Sequence, residues 1–268
     1  MAGCARSALA SGRLRSDFDA LRRHTADPAP ARYDGPGPTP VVPDLTEALE
    51  ETGRALLAAR DADGICAAAV GAVRRAVPAA VHVGLLLADR ATGVAVGAVT
   101  DPSAELACAL QARLGEGPGP DALRDGVPVV VDDLGAADVV ARWPGFSGPM
   151  SRLGLCSTAA FPLVAGSGRP AAALVLFAPA PDAFGADEVV RGRLCATQAS
   201  VALAGARQAD NLVRALGSRD VIGQAKGALM HAHGVDERTA FEMLRRTSRD
   251  TNTKLVEIAR RVVAGDPS

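Results

Sequence analysis

A chain of 268 residues, 48% hydrophobic but only 3% aromatic, suits about two domains with cores built from Ala, Val and Leu. Its net charge of −1 argues against a uniformly basic nucleic-acid binder, and no apolar run reaches the ~18 residues of a membrane span. The N-terminal stretch MAGCARSALASGRLRSD has no continuous apolar segment of the kind a signal peptide needs. Cys4, Cys66, Cys108, Cys156 and Cys195 are odd in number and form no C-x-x-C pair, so neither a disulfide framework nor a zinc site is indicated. The expectation is a cytoplasmic protein with no metal, no cofactor and no membrane partner.

Residues 1–43 read as a disordered leader, because Pro28, Pro30, Pro36, Pro38, Pro40 and Pro43 exclude regular structure from its second half. Leu14, Phe18 and Leu21 could form one short amphipathic turn beside Arg13, Arg15, Arg22 and Arg23, but a solvated leader is the simpler reading.

From 44 to 205 the pattern is α+β. Leu45, Leu49, Leu56 and Leu57 mark a first helix. Ile65, Ala69, Val73 and Val77 mark a second, opened by Asp61 or Asp63 and closed by Pro78. Val81, Val83, Leu85 and Leu87 alternate as a strand, which a turn over Asp89–Gly93 returns into VAVGAV. Ser103 to Leu114 reads as a helix, GEGPGPDALRDG as a loop and VPVVV as a strand. An irregular 136–150 region around Trp143 precedes strand TAAFPL, turn AGSGR and strand AAALVLF. An alanine-rich helix starts near Ala186. Helices, antiparallel strands and a closing helix fit a sheet covered on its faces.

Several features here suggest chemistry and fall short of it. Gly115, Gly117 and Gly119 are spaced like a phosphate-cradling loop, but no Lys-Ser/Thr follows them. Asp132 and Asp133 lack the strand-end Asp and later Lys of a phosphoacceptor pocket. His82 in an apolar strand reads as a packed or hydrogen-bonded histidine, and His231 and His233, two apart, diverge on a helix. Trp143 reads as a loop anchor. The segments LGEGPGPDALRDGVPVVVDDL (114–134), RWPGF (142–146) and FPLVAGSGRPAAALVLF (161–177) resemble a GAF sensor domain. That resemblance implies an antiparallel sheet flanked by helices and an unknown small-molecule or protein signal. Its loop usually reads GEGP followed by Cys, where this chain has Gly119.

Residues 206–265 change character. Leu212, Leu216, Ile222, Ala225 and Leu229 recur at helical spacing and stop at Gly234. Asp236 can cap a second helix striped by Ala240, Phe241 and Leu244. Asn252 can cap a third, carrying Leu255, Ile258, Ala259, Val262 and Val263. This pattern predicts an all-α three-helix bundle. The window 212–263 holds ten Lys/Arg against six Asp/Glu, a charge of +4 that leaves −5 on the other residues. Arg238, Arg245 and Arg249 share one side of the middle helix, and Ser248, Asn252, Thr253 and Lys254 add polar groups at the next turn. Such a surface suits phosphates and base edges, although a solvated helical face has the same composition.

The order SRDVIGQAKGALM, AFEMLRR, then S-x-x-x-N-T-K-L-x-x-I-A resembles the ANTAR family of RNA-binding transcription antiterminators. The resemblance implies a dimer whose bundles recognise paired RNA hairpins with six-nucleotide loops in nascent transcripts. By position it implies RNA contacts from Ala225, Lys226, Arg245, Ser248, Arg249, Asn252, Thr253 and Lys254, with Arg249 standing where many members have Gln. GAF followed by ANTAR is a pairing of actinobacterial antitermination regulators, so the expectation is a non-enzymatic regulator. The apolar trace Val190, Leu194, Val201, Leu212 and Leu216 through the connecting helix suits pairing with a second copy. Two alternatives stand beside it: a GAF protein of a histidine-kinase-related pathway, and a DNA-binding helical transcription factor. The first lacks a phosphoacceptor His and ATP lid, and competition between hairpin RNA and duplex DNA decides the second.

Overall fold

Two helix starts in the N-terminal domain follow from aspartate caps. In the computed structural model, which describes residues 44–89, 93–165 and 168–265, helix α1 runs Leu45–Ala58 and α2 Ala62–Ala76. Asp61, rather than Asp63, caps α2 by accepting from the Gly64 N–H at 2.7 Å. Strands β1 (His82–Asp89) and β2 (Gly93–Val99) pair antiparallel. Asp101 then caps α3 (Pro102–Leu114), accepting from the Ser103 and Ala104 amides. The 1–43 leader, the tip of the Asp89–Gly93 turn and part of the AGSGR turn lie outside the described residues.

The expected loop 115–126 instead contains a helix, α4 (Pro118–Asp125). Pro118 at its first position and Gly126 in the left-handed region after its end are favourable start and stop residues, which explains why a Gly/Pro-dense stretch is helical. After β3 (Val129–Val131), the region expected to be irregular holds two one-and-a-half-turn helices, α5 (Ala137–Arg142) and α6 (Ser147–Arg152). Strands β4 (Ser157–Val164) and β5 (Pro170–Ala178) complete a sheet of order β2-β1-β5-β4-β3. All its pairs are antiparallel.

The central strand β5 is buried from Ala171 to Ala178, because both faces of the sheet are covered. A run such as AAALVLFA therefore replaces strict alternation. On one face Leu86, Ala160, Ala173, Val175 and Phe177 pack with Cys108, Leu110 and Ala122 of α3 and α4 and with Phe146 and Met150. In α1 the buried residues are Ala48, Thr52 and Leu56, whereas Leu57, expected on the apolar stripe, is 87% exposed. It follows Leu56 by one residue, about 100° around the helix.

Helix α7 runs without interruption from Ala186 to His233. Gly192, which would weaken a helix by propensity alone, is there because α7 crosses close to β4. A Cβ at this position would lie 2.4 Å from Cε2 of the buried Phe161 ring. Gly192→Ala is therefore expected to destabilise the protein by about 1–3 kcal/mol through overpacking. Gly205→Ala, where a Cβ meets nothing within 4 Å, is expected to stabilise by about 1 kcal/mol. Thermal unfolding of the two variants checks the opposite signs.

The chain divides into two compact units between Ala204 and Gly205. The C-terminal unit comprises the end of α7, α8 (Glu237–Asp250) and α9 (Leu255–Ala264). Gly234 and Gly265 end α7 and α9 with positive φ. Asp236 caps α8, accepting from the Thr239 N–H at 2.8 Å. A bond from the Thr239 side chain, with this backbone bond behind it, holds the Asp236 carboxyl below its ordinary range. The small core consists of Ala225, Leu244, Ile258 and Ala259, with Ile222, Leu229 and Val262 packed around it.

Candidate nucleic-acid interface

The three helices of the C-terminal unit meet on alanines, and this sets which residues can face a ligand. Ala225 is 0% exposed and belongs to the bundle core. Its expected place on the RNA surface is corrected: the small methyl lets the helices approach, and a larger side chain would force them apart.

Lys226, one residue on, is half-buried and ion-pairs with Glu237 in the first turn of α8. The ammonium beside Glu237 holds that carboxyl below the usual carboxylate range. The pair thus links α7 to α8.

On α8, Arg245 donates to Glu242 at 2.8 Å, and Arg249 reaches the other oxygen of Glu242 at 3.9 Å. The Arg249 Nε also donates to the Arg245 carbonyl at 3.3 Å. Residues 242, 245 and 249 share one helical face, so the two guanidinium groups flank one carboxylate.

Ser248 closes the turn that follows. Its hydroxyl donates to the Thr253 carbonyl at 2.6 Å, and the Thr253 N–H donates to the Ser248 carbonyl at 3.1 Å. Asn252 does not cap α9 as expected: it sits in the left-handed region at φ 49°, which asparagine tolerates better than most residues. The N-cap is Lys254, and no side chain caps the helix. Lys254 and Asn252 are exposed, and no carboxylate ion-pairs with Lys254 among the described residues. The fold thus joins Arg245 with Arg249 and Ser248 with Thr253, and leads into an uncapped helix start at Lys254. The partners Glu237 and Glu242 were missed in the sequence, although the spacing of 242, 245 and 249 carries the signal.

The N-terminal domain holds a second polar cluster. The Asp121 carboxylate, 5% exposed, accepts from Arg124 at 2.8 Å, Arg142 at 2.6 Å and the Trp143 indole N–H at 3.2 Å. The Arg142 guanidinium lies 4.8 Å from the Trp143 ring centroid, and Glu116 accepts from the Gly145 N–H at 2.8 Å. RWPGF is therefore a structural anchor tying the 142–146 turn to α4. At Gly119 a Cβ would lie 2.5 Å from Leu86 Cδ1 and 2.9 Å from Val175 Cγ2, so the backbone presses on the sheet. Gln111 accepts from the Gly119 N–H at 2.9 Å, while its buried amide nitrogen has no partner among the described residues.

His82 bonds Asp101 at 2.8 Å, in keeping with a hydrogen-bonded histidine. Burial works to raise the Asp101 carboxyl, but bonds from Thr100, His82 and the Ala104 amide outweigh it and hold the carboxyl below its ordinary value. Among the described residues no group of His, Cys, Asp or Glu could hold a metal ion. No helix among them is long and apolar enough to cross a membrane.

Comparison with known proteins agrees with this division. A GAF domain family model matches residues 59–204, and an ANTAR domain family model matches residues 210–263. No curated protein matches the chain. Among solved structures, the photosensory core module of a Stigmatella aurantiaca phytochrome is similar at 13% identity and TM-score 0.52, covering 76% of this chain and 44% of that one. A bacteriophytochrome from R. palustris is similar at 15% identity and TM-score 0.51, covering 75% and 46%. The GAF domain of an Acinetobacter phosphoenolpyruvate-protein phosphotransferase is similar at 14% identity and TM-score 0.47, covering 62% and 97%. The chain thus spans less than half the length of the two phytochromes, and at these identities the likeness is one of fold. GAF domains are sensors and ANTAR domains are RNA-binding antiterminator modules, so their union is that of a regulator. The chain belongs to the GAF-domain family and carries an ANTAR domain at residues 210–263.

Proposed function

We propose that this protein is a transcription antiterminator that binds paired hairpins with six-nucleotide loops in nascent RNA, under control of its GAF domain. The observation that carries the reading is the polar face of the ANTAR unit. Exposed Arg245, Arg249, Asn252 and Lys254 follow one another across the α8–α9 turn, and the first amides of α9 have no side-chain cap. Uncapped helix amides beside lysine and arginine suit a phosphate backbone. Lys226 belongs to the same proposal as a cation held by Glu237, whereas Ser248 and Thr253 shape the turn.

Two copies of the chain bind together in this reading. Val201 and Leu212 on α7 are 70% and 62% exposed, and Val190 and Val213 are exposed as well, which leaves an apolar trace for a second α7. A signal acts by changing how the α7 helices pair. As an antiterminator the protein acts in the cytoplasm, where nascent transcripts are, and carries out no catalytic step.

The test is competition at fixed salt between a two-hairpin RNA and a duplex DNA of equal charge for the full chain. Preference for the RNA is expected. Preference for the duplex would make the bundle a DNA-binding unit instead.

A further inference from the structure

Glu242 is the carboxylate between the two arginines of α8. It accepts from Arg245 at 2.8 Å, lies 3.9 Å from Arg249, and is about half exposed, as is Arg245. Exposed ion pairs of this kind add little to stability, so their consequence lies in binding. One of the two positive charges is cancelled before any ligand arrives, and Glu242 occupies N–H donors that a phosphate would use. A generic RNA backbone must displace the carboxylate and face its negative charge. A ligand that brings additional acceptors, such as base edges displayed in a folded loop, offsets that cost. We infer that Glu242 is a specificity-determining residue: it lowers the affinity of the Arg245–Arg249 pair for unstructured RNA more than for a folded hairpin loop. The inference rests on the RNA-binding reading above.

The experiment compares the full-length wild type with Glu242→Gln, which keeps shape and removes charge. The probes are a two-hairpin RNA with six-nucleotide loops and a poly(U) strand of the same length, across a salt series. Asp250→Asn is the control, since it alters net charge equally but touches Arg246 at 3.7 Å rather than the 245–249 pair. Helical circular dichroism confirms that each variant is folded.

For Glu242→Gln, poly(U) binding is expected to tighten about fivefold and its salt slope to steepen by about 0.7, the increment of one further phosphate contact on a single strand. Hairpin binding should change less than about twofold, so discrimination falls, while Asp250→Asn leaves discrimination intact. Unchanged poly(U) binding by Glu242→Gln would overturn the inference, as would an equal effect from Asp250→Asn, which assigns it to bulk charge. Loss of hairpin binding by a folded Glu242→Gln would also overturn it, by making Glu242 a direct contact. A wild type that binds neither RNA overturns the RNA-binding reading itself.

Discussion

Replacing Asp121 by Ala is expected to destabilise the N-terminal domain by about 3 kcal/mol, toward the lower end for removing one partner of a buried ion pair. The carboxylate is nearly inaccessible and serves three donors, Arg124 on α4 and Arg142 and Trp143 at the 142–146 turn. Without it, the Trp143 indole N–H is left buried and unpaired, since Trp143 is only 2% exposed. Arg124 and Arg142 also lose their shared counter-charge, but both are at least half exposed and water compensates them in part. At about 2–4 °C per kcal/mol for a domain of this size, the thermal midpoint should drop by about 6–12 °C. Trp143 is the sole tryptophan, so its fluorescence reports on the cluster itself. Asp121→Asn keeps an acceptor for the indole and should cost less. Equal midpoints for wild type and Asp121→Ala would show that the 142–146 turn is held by other contacts.

Lys254→Ala and Arg245→Ala carry the second large effect. A charge-assisted hydrogen bond to phosphate contributes on the order of 1.5–3 kcal/mol. Loss of the lower value in each of two paired bundles weakens binding by about 3 kcal/mol, roughly a hundredfold. The salt slope should flatten by about 0.7 for every single-strand phosphate contact removed. Both side chains are exposed and outside the bundle core, so helical circular dichroism should be unchanged. Loss of helicity in both variants would assign the two residues to structure.

The fold was legible in the sequence wherever one local signal dominated. Asp61, Asp101 and Asp236 sit before apolar helical runs, and the first and last begin helices where the sequence placed them. Pairing of β4 with β5 was readable from two apolar runs flanking a glycine turn. Helix α4 was hidden because glycine and proline density argues for a loop, while only their order, proline first and glycine last, argues for a helix. Gly192 counts against a helix by propensity, since nothing local reveals that Phe161 will pack against it.

The candidate site divides the same way. Family position named Ala225 without saying whether it faces inward, and an alanine is equally at home in a core. Asn252 is a plausible cap by type, but the Ser248–Thr253 pair shifts the helix start by two residues. The carboxylates at 237 and 242 count merely as surface acids in a charge sum. Only their distances to Lys226, Arg245 and Arg249 show that the basic face is already partly neutralised.

If two ANTAR bundles held in one dimer read two RNA hairpins, the full chain will bind an RNA carrying two hairpins more tightly than one carrying a single hairpin. With a single-hairpin dissociation constant of ~10 μM and an effective concentration of ~1 mM for the second, tethering tightens binding ~100-fold, or about 2.7 kcal/mol. That gain is expected for the two-hairpin RNA, with two chains bound per RNA. Equal affinity for the two RNAs, with the oligomeric state of the protein measured alongside, would contradict it.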